Sequence, residues 1–396
     1  MDINLRPISG LNESLHLTVT ELTPGDTLRV KVDATDAAGR SWQSESEFTA
    51  NSEGIVDFDS SLPHSAAWSP ANSLGLLWAM SPERPEAFSL SGVKPVSVDF
   101  KIRSSNDGRG AHAQRTLARA VEEWNFPKLH AQGFSKKGSD PRPLILLFDE
   151  GSAPATAAAA YLADSGFSVL SIDYQEFKKF EDLTEAVATF RQDKTVNSTE
   201  PISLIGLGEG AVVALLLAER LGDTVGPVIA HNPANHIVPA LSTKPTDLWK
   251  DLESQGTIPS KNDMKSRARE AALKGLAMNI FGLIPPSEFN ELPVKNIAGP
   301  VLLTASTDDA VWDSVTMAKT IAEDCESNGI QVFHLEYAGA GHGTGFPFSM
   351  PGVPAATVAT LWDQKINLGG SRIINSQRAV DSMEQVMSML NSYYGL

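Results

Sequence analysis

The stretch ISLIGLGEGAVVALLLAERLG, residues 202–222, decides how this chain is read. Its first residues form an apolar strand, Gly206-Leu207-Gly208-Glu209-Gly210 a sharp turn, and the rest a long apolar helix. Three readings fit. As a dinucleotide loop, Gly206-x-Gly208-x-x-Ala211 needs an acidic residue at the end of the next strand for the ribose hydroxyls. That next strand, GPVIAHN, ends in His231 and Asn232 instead, and the loop follows the third strand of its domain rather than the first. As a structural turn it asks for nothing else. As a nucleophile elbow of the G-x-S-x-G kind, it demands an acid and then a histidine at later strand ends. LLTASTDDAVW supplies Asp308 and Asp309 just after a strand, and FHLEYAGAGHG supplies His342 in a glycine-rich loop after the next one. The order elbow, acid, histidine is that of α/β-hydrolases.

The pattern around the turn supports that class. From Pro143 onward, buried strands (PLILLFD, FSVLSIDY, GPVIAHN, GPVLLTAST, QVFHLEYAG) alternate with helices (APATAAAAYLADSG, LTEAVATFRQDK, VTMAKTIAEDCESNG). Such alternation means a mostly parallel, doubly wound sheet covered on both faces. Up to about Lys101 the period is different. LHLTVTEL, LRVKVDAT, SWQSESEFTA, AFSLSG and VSVDFKI are short runs separated by turn residues, as in an antiparallel β-sandwich of the Ig-like kind. AHAQRTLARAVEEWN reads as a connecting helix. The expected organisation is therefore a β-sandwich over residues 1–115 and an α/β-hydrolase domain over 116–396, with a lid-like insertion at about 237–291.

Composition narrows the partners. A formal net charge of −16 over 396 residues disfavours nucleic acid or an anionic membrane as the main partner. The single cysteine, Cys325, permits no internal disulfide and reads as a packed helix residue. The start, MDINLRPISGLNES, lacks an apolar signal core, and no run of 18 apolar residues occurs, so a soluble cytoplasmic protein is expected. No metal site is expected. His231 and His334 read as satisfied core residues, and His16, His64, His112, His130 and His236 as surface or loop positions.

The chain resembles the acyl-CoA thioesterases and bile acid-CoA:amino acid N-acyltransferases. SLGLLWAMSPERP resembles that family's signature at the end of its sandwich domain, and YLADSGFSVLSIDY the segment following its oxyanion loop. NIAGPVLLTASTDDAVWDS is similar to its acid loop, YAGAGHGTGFPFSMPG to its histidine loop, and LGG at Leu368 to Gly370 also matches. The resemblance implies an elbow residue, Ser in the thioesterases and Cys in the transferases, that attacks an acyl-CoA thioester, with coenzyme A leaving. It implies Asp309 rather than Asp308 as the acid and His342 as the base. No resident cofactor is implied; coenzyme A would be part of a small-molecule acyl substrate. Two departures stand out. Gly208 occupies the nucleophile position, and the oxyanion loop, glycine-rich in the family, reads FDEGSAPA. Glu209, Glu150 and Gly151 are the expected oxyanion- and substrate-binding positions, with Asp149 and Glu150 bringing negative charge there. Without a side chain at Gly208, the expectation is an inactivated hydrolase, general-base chemistry by His342 and Asp309 without a covalent intermediate, or a protein that binds a hydrophobic or acyl ligand without turnover.

Overall fold

The computed structural model describes residues 1–64, 68–150, 155–177, 179–236, 292–361 and 364–396. Gly151 and the insertion expected at 237–291 lie outside the described residues.

The N-terminal part is built from strands β1 (Asp2–Asn4), β2 (Ile8–Ser9), β3 (Thr18–Thr20), β4 (Thr27–Thr35), β5 (Ser41–Thr49), β6 (Val56–Asp57), β7 (Ser81–Pro82), β8 (Val96–Ser104) and β9 (Gly110–Leu117), with one short helix, α1 (Gly75–Trp78). They form two sheets, β1-β3-β6 and β2-β9-β8-β4-β5-β7, antiparallel except where β2 meets β9. The alternation read in LRVKVDAT is real: Leu28, Val30, Val32 and Ala34 are buried while the residues between them are more exposed. AFSLSG forms no strand. The connecting helix expected in AHAQRTLARAVEEWN is not there either. That stretch forms most of β9 and of β10 (Val121–Phe126). Its Ala, Arg and Glu residues favour a helix, but β9 pairs with β8 over eight positions, and this pairing overrides local propensity. Arg115 is buried, held by Ser9 Oγ and by the Ser14 carbonyl at 3.0 Å.

The remainder is an α/β fold. Its sheet runs β10-β11-β13-β12-β14-β15-β16-β17, where β11 is Ala131–Lys136, β12 Leu144–Phe148, β13 Ser168–Ile172, β14 Ile202–Leu207, β15 Val225–His231, β16 Val301–Ser306 and β17 Val332–Tyr337. The six strands from β13 to β17 are parallel. Helices α2 (Thr156–Asp164), α3 (Phe180–Phe190), α4 (Glu209–Leu221), α5 (Ser314–Ser327) and α6 (Arg372–Tyr394) accompany it. The continuous apolar run of β12 is explained by burial on two faces. Leu144, Leu146 and Phe148 join one apolar cluster; Ile145 and Leu147 join a second that also contains Val30, Trp42 and Phe100 of the N-terminal sheets. The two halves of the chain thus share a core. Among the described residues, no helix is long and apolar enough to cross a membrane.

Strand order positions the site. From β12 the chain moves to β13 on one side, then returns across to β14 on the other and continues outward. The carboxyl ends of β12 and β14 therefore face a topological switch point, the place where open α/β sheets leave a crevice. Glu150 follows β12 and Gly208 follows β14. Here α4 comes unusually close to the sheet. A Cβ on Gly210 would lie 2.0 Å from the Phe148 carbonyl oxygen, and one on Gly206 would lie 2.2 Å from the Gly210 carbonyl oxygen. Both obstacles are backbone, which cannot rotate aside. Gly210→Ala is therefore expected to lose roughly 2–3 kcal/mol of stability in urea denaturation, the cost of overpacking a tight site. A loss below about 0.5 kcal/mol, the usual range for neutral surface changes, would contradict this close approach.

Candidate active site

Gly208 caps α4 with φ 57° and ψ −117°. A residue with a Cβ adopts that conformation only under strain. Its N–H donates to the His231 carbonyl at 2.9 Å, and its carbonyl accepts from Ala211 N at 3.1 Å, so the turn is pinned on both sides. The amino end of a 13-residue helix points into the site and favours negative charge there.

Asp309 and His342 meet as the order of loops implies. His342 Nδ1 donates to Asp309 Oδ2 at 2.8 Å. The other Asp309 oxygen accepts from the backbone N–H groups of Val311 and Trp312, at 2.8 and 3.2 Å, which fixes the carboxylate. Asp308 is exposed and turned away, accepting instead from Gly370 N at 2.9 Å. The LGG segment is the platform for both loops. Asp309 bridges to Gly369, and His342 N donates to the Leu368 carbonyl at 2.7 Å.

Other residues brace these loops. Asn232 adopts a left-handed φ of 47° and its Nδ2 donates to the His342 and Thr344 carbonyls, at 2.7 and 3.0 Å. Asn375, on α6, accepts from Gly341 N at 3.0 Å and donates to the Ala356 carbonyl at 3.0 Å. The Trp312 ring meets the His342 ring edge to face, with centroids 4.5 Å apart. Trp78, in the SLGLLWAMSPERP stretch, donates from Nε1 to the Pro351 carbonyl at 2.7 Å, anchoring the end of the histidine loop to the N-terminal half.

Glu150, expected as an oxyanion- or substrate-binding residue, reaches His342 itself. Both of its carboxylate oxygens lie 3.0 Å from His342 Nε2. His342 is thus held between two carboxylates, with no side-chain exposure of its own, against 2% for Asp309 and 15% for Glu150. Glu150 also overhangs Gly208: a Cβ there would lie 2.2 Å from Glu150 Oε1 and 2.9 Å from His342 Nε2. Glu209 is buried at the first turn of α4. Its charge, with those of Glu150 and Asp149, acts on Tyr174, whose buried hydroxyl titrates well above the phenol range, first through burial. Burial likewise pushes Asp149 up to about 6, helped by the charge of Glu150 and opposed by the N–H of Glu150.

The remaining histidines divide. His231 is buried; its Nε2–H donates to the Phe346 carbonyl at 2.6 Å, its Nδ1 accepts from Thr304 Oγ1 at 2.8 Å, and burial pushes it down to about 4. It is a neutral structural residue. His334 departs from the expectation of a satisfied core residue: it is half-buried on β17 and its Nε2 has no hydrogen-bond partner among the described residues. Burial pushes the thiol of Cys325 up to about 12, so it is packed rather than reactive. Since β15 ends in His231 and is followed by Asn232, no acid stands at its end to hold a ribose.

Burial opposes charge on His342, but the charges of Asp309 and Glu150, with their hydrogen bonds, overcome it and push the imidazole up from 6.5 to about 10. The folded protein therefore binds an extra proton between those two values. The stabilisation is complete below about 6.5 and is lost as pH rises toward about 10. The urea midpoint of the wild type should fall from pH 7 to pH 10 more steeply than that of His342→Gln. Parallel declines in the two proteins would show that the imidazole is not held protonated.

The chain is similar to known proteins. Residues 12–124 match a family model described as the acyl-CoA thioester hydrolase/BAAT N-terminal region, and residues 179–395 match one described as BAAT/acyl-CoA thioester hydrolase C terminal. Acyl-coenzyme A thioesterase 6 of Mus musculus is 25% identical over 410 residues, covering 96% of this chain and 94% of its own. The peroxisomal succinyl-coenzyme A thioesterase of Mus musculus is 24% identical over 413 residues, covering 97% and 94%. Among solved structures, an esterase of Pyrobaculum calidifontis aligns with a TM-score of 0.37 and 16% identity, over 56% of this chain and 77% of its own. The chain belongs to the acyl-CoA thioester hydrolase/BAAT family.

Proposed function

We propose that this protein is an acyl-CoA thioester hydrolase or acyltransferase-type enzyme, built on an α/β-hydrolase domain behind an Ig-like sandwich, with Gly208 at the nucleophile position of an elbow. The observation that carries this reading is the Asp309–His342 pair, hydrogen-bonded at 2.8 Å, poised 2.9 Å from where a Cβ of residue 208 would stand. The backbone at Gly208, the loop order and the family relationship support the same reading. Coenzyme A enters as part of the substrate, and no covalent intermediate forms on residue 208. A second reading, a protein that binds an acyl ligand without turnover, draws on the same missing side chain.

The test is release of free thiol from acetyl-, octanoyl- and palmitoyl-CoA. The wild type should release coenzyme A, and His342→Ala should lower the rate by about 100-fold or more, the usual scale for an acid–base group. Stable binding without thiol release would favour the second reading. Equal rates in wild type and His342→Ala would remove His342 from the reaction.

A further inference from the structure

We propose that Glu150 is the catalytic nucleophile, its carboxylate oxygen standing in the space that a side chain at position 208 would fill. The inference rests on the acyl-thioester reading and supplies the reactive atom that reading lacks.

Geometry carries it. Glu150 Oε1 lies 2.2 Å from the Cβ position of residue 208 and 3.0 Å from His342 Nε2. An oxygen attached to that Cβ, reaching for the same imidazole nitrogen, would compete for the same volume. Of the three groups in line, Glu150 is the most exposed and so the one a substrate can reach, at 15% against 2% and 0%. It sits at the switch point, beside the amino end of α4, where an attacking anion and the oxyanion it generates are favoured. The imidazole also fits the role. A serine needs a base to take its proton, whereas a carboxylate needs none. An imidazole held protonated up to about 10 is a poor base at neutral pH but a ready acid.

The steps balance. Glu150 Oε1 attacks the thioester carbonyl carbon, and the C–S bond breaks. The coenzyme A sulfur leaves and takes the Nε2 proton of His342. The products are free coenzyme A, neutral His342 and a mixed anhydride between the acyl group and Glu150. Acylation removes the negative charge of Glu150, one of the two charges that hold His342 protonated, so the imidazole can now act as a base. Water attacks the anhydride and gives a proton to Nε2. The acid is released, and the Glu150 carboxylate and the imidazolium are restored. An amine in place of water would give the amide.

The test uses the full chain and the acyl-CoA panel above. Wild type mixed with an acyl-CoA and quenched in sodium borohydride should carry Glu150 reduced to the corresponding alcohol, located by peptide mass mapping, and only when acyl-CoA is present. Glu150→Gln, which keeps the shape of the side chain, should retain acyl-CoA binding and lose thiol release by about 100-fold or more. Three results would overturn the proposal. Thiol release that persists in Glu150→Gln excludes the carboxylate. Turnover by the wild type with no reduced Glu150 shows that water or another group attacks. A wild type that releases no thiol from any member of the panel removes the thioester reading itself, and that failure is visible without any variant. Because trapping is done on the wild type, a poorly folded Glu150→Gln does not blunt the experiment.

Discussion

The approach of α4 to the ends of β12 and β14 governs everything at the site. Gly206 and Gly210 let a helix meet two strands at backbone distance. That contact forces the sharp reversal at Gly208 and aims the amino end of α4 at the switch point. The same packing brings Glu150, two residues past Phe148, over the turn, so its position follows from a glycine of β14 and another in the first turn of α4. Side chains at those positions would push α4 away and open the crevice.

The second constraint is electrostatic. A fully buried imidazole would ordinarily be neutral, as His231 is. His342 differs from His231 in its partners, not in its burial. His231 meets a hydroxyl and a carbonyl, while His342 meets two carboxylates. The charged arrangement is costly to assemble, because two buried carboxylates face a single imidazolium and one negative charge is left over. Such sets are placed by tertiary structure. Asn232 just past β15, Asn375 on α6 and Trp312 within the acid loop brace the histidine and its loop.

What was legible in the sequence follows from how local its cause was. The parallel sheet could be read because each strand is an apolar run bounded by turn residues. That the Asp308–Asp309 loop meets the His342 loop could be read from loop order, since strand sequence dictates which loops gather at one edge; the choice of Asp309 came with the family resemblance. Residues 111–125 have a helical local pattern but fold as strands, because their fate is set by β8 and β11, partners a local pattern does not contain. α6, the long C-terminal helix, carries only a weak apolar stripe and leaves little local signal. Glu150 was marked as an oxyanion-loop residue, but its place against His342 Nε2 depends on a rotamer and a crossover that no local pattern encodes.

Gly208 and Glu150 are best understood as one choice rather than two. A side chain at 208 would overlap the Glu150 carboxylate, so Glu150 can reach His342 Nε2 only over a glycine. The reverse also holds. A serine or cysteine at 208 needs an imidazole able to accept its proton, and Glu150 suppresses that ability by holding the imidazole charged. Each residue is compatible with the other and hostile to the usual partner of its site, so substitutions at the two positions should not add. The absence of a nucleophile on the turn is then no sign of decay by itself. The glycine gives a neighbouring strand end room to present a carboxylate oxygen to the same histidine, and in the proposed reaction the histidine serves first as an acid rather than a base.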